Sequence, residues 1–173
     1  MAIGEMELTI QQNCDLIFNN RKASKKWRAI DHLEQLMLTC ERWYGEVTER
    51  GTPGLYTREI MMPTGMLCTS RIHKTCHQFI VSKGSCTVYN TFDDTTELIV
   101  APHHGITFPG TRRVLFIHDN CTWTTSHPTD KIKIGFELLD KQSQQVIFDS
   151  IMVDLIHEYD NPLTSDFTEG ALI

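Results

Sequence analysis

No CxxC pair, no Gly-rich phosphate loop, no G-x-S-x-G elbow and no HExxH helix occurs in the 173 residues. Disulfide exchange, nucleotide-phosphate cradling, elbow-type serine hydrolysis and helix-borne zinc proteolysis therefore have no motif to stand on. Positive charge is also short. The chain carries 16 Lys and Arg against 22 Asp and Glu, a net charge of −6, with a pI near 5.7. Coating nucleic acid needs a net basic face, so no nucleic-acid partner is expected. The basic cluster Arg21-Lys22-Ala23-Ser24-Lys25-Lys26 reads as the solvated start of a helix. No apolar run approaches the roughly 18 residues of a membrane span. The start MAIGEMEL has neither the basic stretch nor the apolar core of a signal peptide. Cys14, Cys40, Cys68, Cys76, Cys86 and Cys121 are scattered through apolar or mixed segments. Free buried thiols in a reducing cytoplasm fit that pattern. No internal repeat or low-complexity block is present.

What the chain does have is concentrated in Gly65–Gly84, GMLCTSRIHKTCHQFIVSKG. His73 and His77 stand four apart, a spacing that shares one face of a helix or of a strand. The flanks favour strand: Pro63 and Gly65 precede, and the β-rich run Phe79-Ile80-Val81 follows. Lys83-Gly84-Ser85 then reads as a turn into Cys86-Thr87-Val88-Tyr89, giving a β-hairpin with two imidazoles near the mouth of a sheet.

Around this stretch the chain divides by texture. Ile10, Cys14, Ile17 and Phe18 have helical spacing, and Ser24 is a fair N-cap for a second helix. From Trp27 the apolar positions Ile30, Leu33, Met37, Cys40 and Tyr44 make one buried stripe. Gly51-Thr52-Pro53-Gly54 breaks that helix and looks like a boundary. Short β-type runs follow at 57–62, 66–72, 76–82, 85–89, 96–101, 105–108, 113–117 and 121–127, separated by turns. That density of strands reads as a sandwich or barrel. Lys131–Leu139 is strand or helix, and Val146, Ile147, Ser150, Ile151 and Asp154 mark a closing helix. The expected division is a helical arm over 1–52, a β-barrel over 53–130, a strand or helix extension over 131–162 and a mobile tail over 163–173.

These residues resemble the cupins, small jelly-roll barrels with two sequence motifs. The first cupin motif is Gly, five residues, His-x-His, three or four residues, Glu, six residues, Gly. Gly65, Arg71-Ile72-His73, His77 and Gly84 keep that spacing, with Arg71 in place of the first histidine and His77 in place of the glutamate. Thr107-Phe108-Pro109-Gly110-Thr111-Arg112-Arg113 resembles the second motif, with Arg113 where the last metal histidine would stand. The resemblance covers roughly residues 56–127 and implies a mainly β, single cupin-type barrel with an N-terminal helical arm and a C-terminal helix. The strings TREIMMPTG, RIHKTCH, PGTRR and TWTTSHPTD further resemble small cupin-like proteins of tailed bacteriophages and prophages. That implies a phage origin, with synthesis in the host cytoplasm and a place in the virion or on a host component. Cupin barrels commonly associate, so the implied partners are copies of itself, other phage proteins or a host protein.

Catalytic cupins hold Fe, Mn, Ni or Zn with about three imidazoles and a carboxylate. His73 and His77 supply two candidate ligands, and His118 and His127 are candidates for a third. His118, beside Asp119-Asn120, reads as a turn residue, and His103-His104 as a loop. Arg71 and Arg113 point into the same pocket if the cupin register holds. Guanidinium stays charged, and one like-charge contact with a cation costs several kcal/mol at an effective dielectric of about 20. The same pair suits an anion, or pairs with local acids such as Asp119 or Glu97. Three readings stay open: a phage structural or interaction barrel with a degenerate metal site, a small metal-dependent enzyme of isomerase or dioxygenase type, and an anion-binding barrel. No catalytic residue is assigned, and the cofactor is none or one divalent metal. Cys76 beside His77 makes no dyad, since adjacent strand residues face opposite ways.

Overall fold

A computed structural model describes residues 24–40 and 45–157 of the chain. In chain order its elements are α1 (Lys25–Met37), β1 (Glu46–Thr52), β2 (Leu55–Met62), β3 (Leu67–Thr69), β4 (His77–Asn90), β5 (Thr95–Val100), β6 (His103–Thr107), β7 (Arg113–Pro128), a 3-10 turn (Phe136–Leu138) and α2 (Lys141–Leu155). Every pairing between strands is antiparallel.

The architecture follows from β4 and β7. They pair from Gln78 with Ser126 to Asn90 with Arg113, forming one long ribbon. Midway the register slips between Val81 and Cys86. Gly84 sits in that slip with φ of +80°. A Cβ there would lie 2.3 Å from the carbonyl oxygen of Asn120, so glycine is what permits the crossing. The slip also changes which β4 residues face inward: His77, Phe79 and Val81 before it, Cys86 and Val88 after it. On β7 the inward set is Arg113, Leu115, Ile117, Cys121, Trp123, Thr125 and His127. An extended run of ten residues spans about 33 Å. Yet the Arg113 guanidinium carbon lies 5.8 Å from the Trp123 ring centroid, so the ribbon folds over on itself and its two halves face each other.

Each half grows into a sheet. The half with the start of β4 and the end of β7 adds β6 on one side and β2 then β1 on the other. The half with the end of β4 and the start of β7 adds β5 and β3. This is the mainly β jelly-roll barrel expected from the sequence. Between the layers pack Ile60, Met62, Cys68, Phe79, Val81, Leu115, Ile117 and Trp123, and each such side chain contributes roughly 1.5–3 kcal/mol by leaving water.

Two helices among the described residues close the barrel. α2 is capped by Asp140, whose side chain accepts from the Ser143 amide at 2.9 Å. Its Phe148, Ile151 and Leu155 pack with Tyr56, Ile132 and Phe136. The residues that follow bridge to the segment before β4: the Lys74 amide donates to the Leu155 carbonyl at 2.7 Å and the His157 amide to the Ile72 carbonyl at 2.8 Å. α1, capped by Ser24 as expected, lays Trp27 against Ile72.

Several local expectations are corrected. Lys83-Gly84-Ser85 is a bend inside one continuous strand and not a hairpin turn, and residues 113–127 are likewise one strand, so His118 lies in β7 and not in a turn. His103 and His104 open β6 and are not loop. Residues 46–52, expected in the helical arm, form β1 and pair with β2 across the Pro53-Gly54 turn. α1 ends at Met37, and its buried face is Trp27, Ile30 and Glu34. Of Lys131–Leu139, expected as strand or helix, only residues 136–138 are helical, as a short 3-10 turn. α2 exposes Val146 and buries Phe148. The expected helix over 10–18, the stripe residue Tyr44 and the tail from residue 163 lie outside the described residues.

Candidate metal and anion site

Three imidazoles converge inside one end of the barrel. His77 is the first residue of β4 and faces inward, and His127 is the last inward residue of β7. His73 comes from the segment between β3 and β4. That segment is held from two sides: His73 bridges to Ile156 beyond α2, and its carbonyl accepts from the Gly110 amide at 2.9 Å. The ring centroids are 4.3 Å apart for His73 and His77, 4.3 Å for His77 and His127, and 5.0 Å for His73 and His127. All three are buried, and one ring nitrogen of each lies within 4.8 Å of the others.

The rings are held neutral. Burial pushes the His73 pKa well below the usual range, and the neighbouring His77, His127, Arg58 and Arg113 push the same way. Burial lowers His77 to about 4, against a raising backbone bond to Thr75, with Arg113 adding to the fall. Burial, His77 and Arg58 lower His127 to about 3. A neutral imidazole keeps a lone pair for a metal. The Nδ1 atoms of His73 and His127 are buried without a hydrogen-bond partner. Nδ1 of His77 lies 3.4 Å from the Thr75 carbonyl oxygen, an arrangement that leaves Nε2 as its free donor atom.

Guanidinium groups flank the cluster. Two small cavities share His73, Trp123 and Thr125 as a common wall. One is also lined by Arg58 and His127. The other is lined by His77, Arg71, Arg113, Ser70 and Thr107. Among the described residues no carboxylate lines either cavity. Arg113 is 7% exposed. Its guanidinium donates to Thr107 Oγ1 at 2.8 Å and lies over the Phe79 ring, 4.9 Å from the centroid. Phe79 is in turn stacked on Trp123 at 4.4 Å and presses against Gly105, where a Cβ would meet the ring at 2.6 Å.

The structure thus brings together His73, His77, His127, Arg71 and Arg113. It does not bring His118, which is exposed on β7 and meets Thr87 Oγ1 at 2.7 Å. Of the local acids expected to neutralise the arginines, Asp119 accepts from Ser85 at 2.5 Å instead, while Glu97, exposed on β5, acts with Asp93 on Arg113 through space, and Arg113 forms no direct ion pair among the described residues. Sequence reasoning missed Arg58. Its signal was available, since Arg58 shares its strand face with Tyr56, Ile60 and Met62, all buried.

The donor set fits a borderline divalent ion. All-nitrogen ligation suits Zn, Fe, Ni or Cu over Mg or Ca. Donor atoms on a tetrahedral ion with bonds of about 2.1 Å stand about 3.4 Å apart, so a modest rotation of the rings closes the 4.8 Å span onto one ion. Three protein ligands leave coordination positions open, the arrangement of a reactive centre.

No family model matches the chain, and no curated protein matches it. Solved structures do. A cupin-2 domain protein from Shewanella frigidimarina is 14% identical over 61% of this chain and 100% of its own, with a TM-score of 0.39. Ectoine synthase from P. lautus is 6% identical over 51% of this chain and 67% of its own, with a TM-score of 0.44. An acetylacetone dioxygenase from Acinetobacter johnsonii is 12% identical over 51% of this chain and 65% of its own, with a TM-score of 0.40. At these scores the likeness carries no argument about chemistry, and the jelly-roll architecture rests on the strand pairings themselves. Among the described residues no helix is long and apolar enough to cross a membrane.

Proposed function

We propose that the protein is a small metal-dependent enzyme whose centre is one divalent transition ion on His73, His77 and His127. The observation that carries this reading is the convergence of three buried, neutral imidazoles, two of them with unpartnered Nδ1 atoms. Burying two such atoms in a barrel core without a partner costs about 1–3 kcal/mol each, and a shared ion removes that cost. The ion would supply Lewis acidity toward an oxygen of the substrate, which suits an isomerase or a dioxygenase. The chain's own part is to fix the three rings, to keep them unprotonated, and to surround the open positions with guanidinium.

Elemental analysis of untagged protein, prepared without chelator, tests this. Near-stoichiometric Zn, Fe, Mn or Ni is expected in the native protein and in His118→Ala. It is expected to be lost in His127→Ala and in the His73→Ala, His77→Ala pair. Equal metal in all four samples, or none in any, overturns the reading.

A second reading, a phage interaction module, is favoured by the outer face of one sheet. Leu67, Phe116 and Leu98 lie in register across β3, β7 and β5, linked through Thr87, and all three are exposed. Such a row suits a second copy or another virion component. Recovery of the protein in purified particles, lost in Phe116→Lys, is its expected outcome.

A further inference from the structure

Arg113 stands apart from the other buried polar groups of the barrel. A guanidinium carries five N–H donors, and here one hydrogen bond, to Thr107, is formed by the side chain among the described residues. It is more than nine-tenths buried and has no carboxylate within ion-pair distance among those residues. Asp93 and Glu97 act on it only through space, and a buried charge with so little compensation costs several kcal/mol. The protein has gone to some length to keep it placed: Phe79 lies beneath it, Gly105 makes room for Phe79, and the Arg113 amide donates to Ser70 Oγ at 2.9 Å. The cavity it lines with His73 and His77 has a volume of about 20 Å³, room for one small polar group. Adding a divalent ion to neutral rings among three arginines makes the site more positive, so the missing component is negative.

We propose that Arg113 is the docking group for the carboxylate of a small organic acid, which it holds against the three-histidine centre. This rests on the metal reading for the ion and not for the anion, since the receptor is complete in Arg113, Thr107 and Ser70. The class follows from shape. One guanidinium edge, with its face occupied by Phe79, matches the two in-plane oxygens of a carboxylate. A tetrahedral phosphate calls for donors on several sides and more room than the cavity holds. Arg71 lines the same cavity and adds positive potential. His77 also borders an outer groove of about 530 Å³ between Leu55, Ile106 and Pro128.

Calorimetry on the full-length protein, once chelator-treated and once zinc-loaded, tests this with formate and acetate against acetamide and inorganic phosphate. Acetate is expected to bind both forms, more tightly with zinc, and acetamide to bind neither. Arg113→Met is expected to weaken acetate at least tenfold while zinc stoichiometry stays at the native value. Equal acetate affinity in native protein and Arg113→Met, or acetamide binding as well as acetate, overturns the proposal even if zinc is present. Acetate bound through Arg113 with no zinc in any sample overturns the metal reading and leaves this one standing. A measurement on the native protein guards against a variant that fails to fold. Phenylglyoxal labelling of Arg113, read by mass spectrometry, is expected to slow several-fold with acetate and not with acetamide, and an unchanged rate with acetate overturns the proposal.

Discussion

Arg112 and Arg113 are neighbours in sequence, both buried, and opposite in circumstance. Arg112 turns out of the barrel toward α1. There it meets Asp31 at 2.6 Å and Glu34 at 2.5 Å, with its guanidinium carbon 5.4 Å from the Trp27 ring centroid. Arg113 turns inward among His73, His77, Phe79 and Trp123 and meets no carboxylate among the described residues. Strand alternation sends the two side chains to opposite faces, and everything else follows from what waits there. One arginine is a fastening that holds a helix on the barrel. The other is a charge kept ready beside three neutral rings. A buried cation with acids around it speaks of stability, and one without speaks of a ligand.

The largest expected effect comes from cutting the fastening. Arg112→Met leaves Glu34, 1% exposed, as a buried carboxylate without its cation. Breaking a buried pair in this way costs about 3–5 kcal/mol. The urea midpoint should fall accordingly. Arg112→Met with Glu34→Leu should recover most of the loss, because an apolar pair no longer strands a charge. A single variant with an unchanged midpoint would remove the distinction between the two arginines.

The next effect is the acid response of the inner site. In the unfolded chain an imidazole titrates near pH 6.5. In the fold His77 waits until about 4 and His127 until about 3, with His73 also well below its usual range. Between those limits the unfolded state binds more protons, so stability is full above about pH 6.5 and is lost as pH falls toward the folded values. For His77 the loss amounts to roughly 3 kcal/mol at full protonation. Denaturation of chelator-treated protein at about pH 7 and about pH 5 measures it. The slope should flatten when all three histidines are replaced by glutamine. A flat native profile would mean the rings are not held neutral.

Much of this was written in short-range pattern. His73 and His77 share a spacing that works on a strand, and the odd-numbered residues of Cys121–His127 carry the inward face, so the three rings could be named before they could be brought together. His118 has the same chemistry on the same strand, but one step of parity puts it outside. Gly84 shows where local signal ends. A glycine at positive φ serves a turn and a bulge equally, and the choice was made by Asn120, which presses on Gly84 from a strand far off in sequence. β1 escaped notice because Glu46-Val47-Thr48-Glu49-Arg50 is an edge strand with little apolar alternation. Glu34 hid inside an apolar helical stripe, since its burial depends on Arg112, 78 positions further along the chain.

The smallest expected change in stability is the most telling one. Arg113→Met deletes a buried guanidinium that has no ion-pair partner among the described residues and puts a flexible apolar chain against Phe79 and Trp123. Replacing a buried charge by an apolar side chain of similar length is often neutral or stabilising, so the urea midpoint should move by no more than about 1 kcal/mol, or rise. Thr107 loses its bond, but its hydroxyl is a small group to satisfy with water. The acid limb should also soften, because Arg113 is among the causes that depress His73 and His77. Without it both rings protonate at higher pH in the fold, closer to their unfolded value, and the stability lost on acidification shrinks. A loss as large as that of Arg112→Met would make Arg113 a second fastening, and the inner cavity would then need a structural account instead of a ligand.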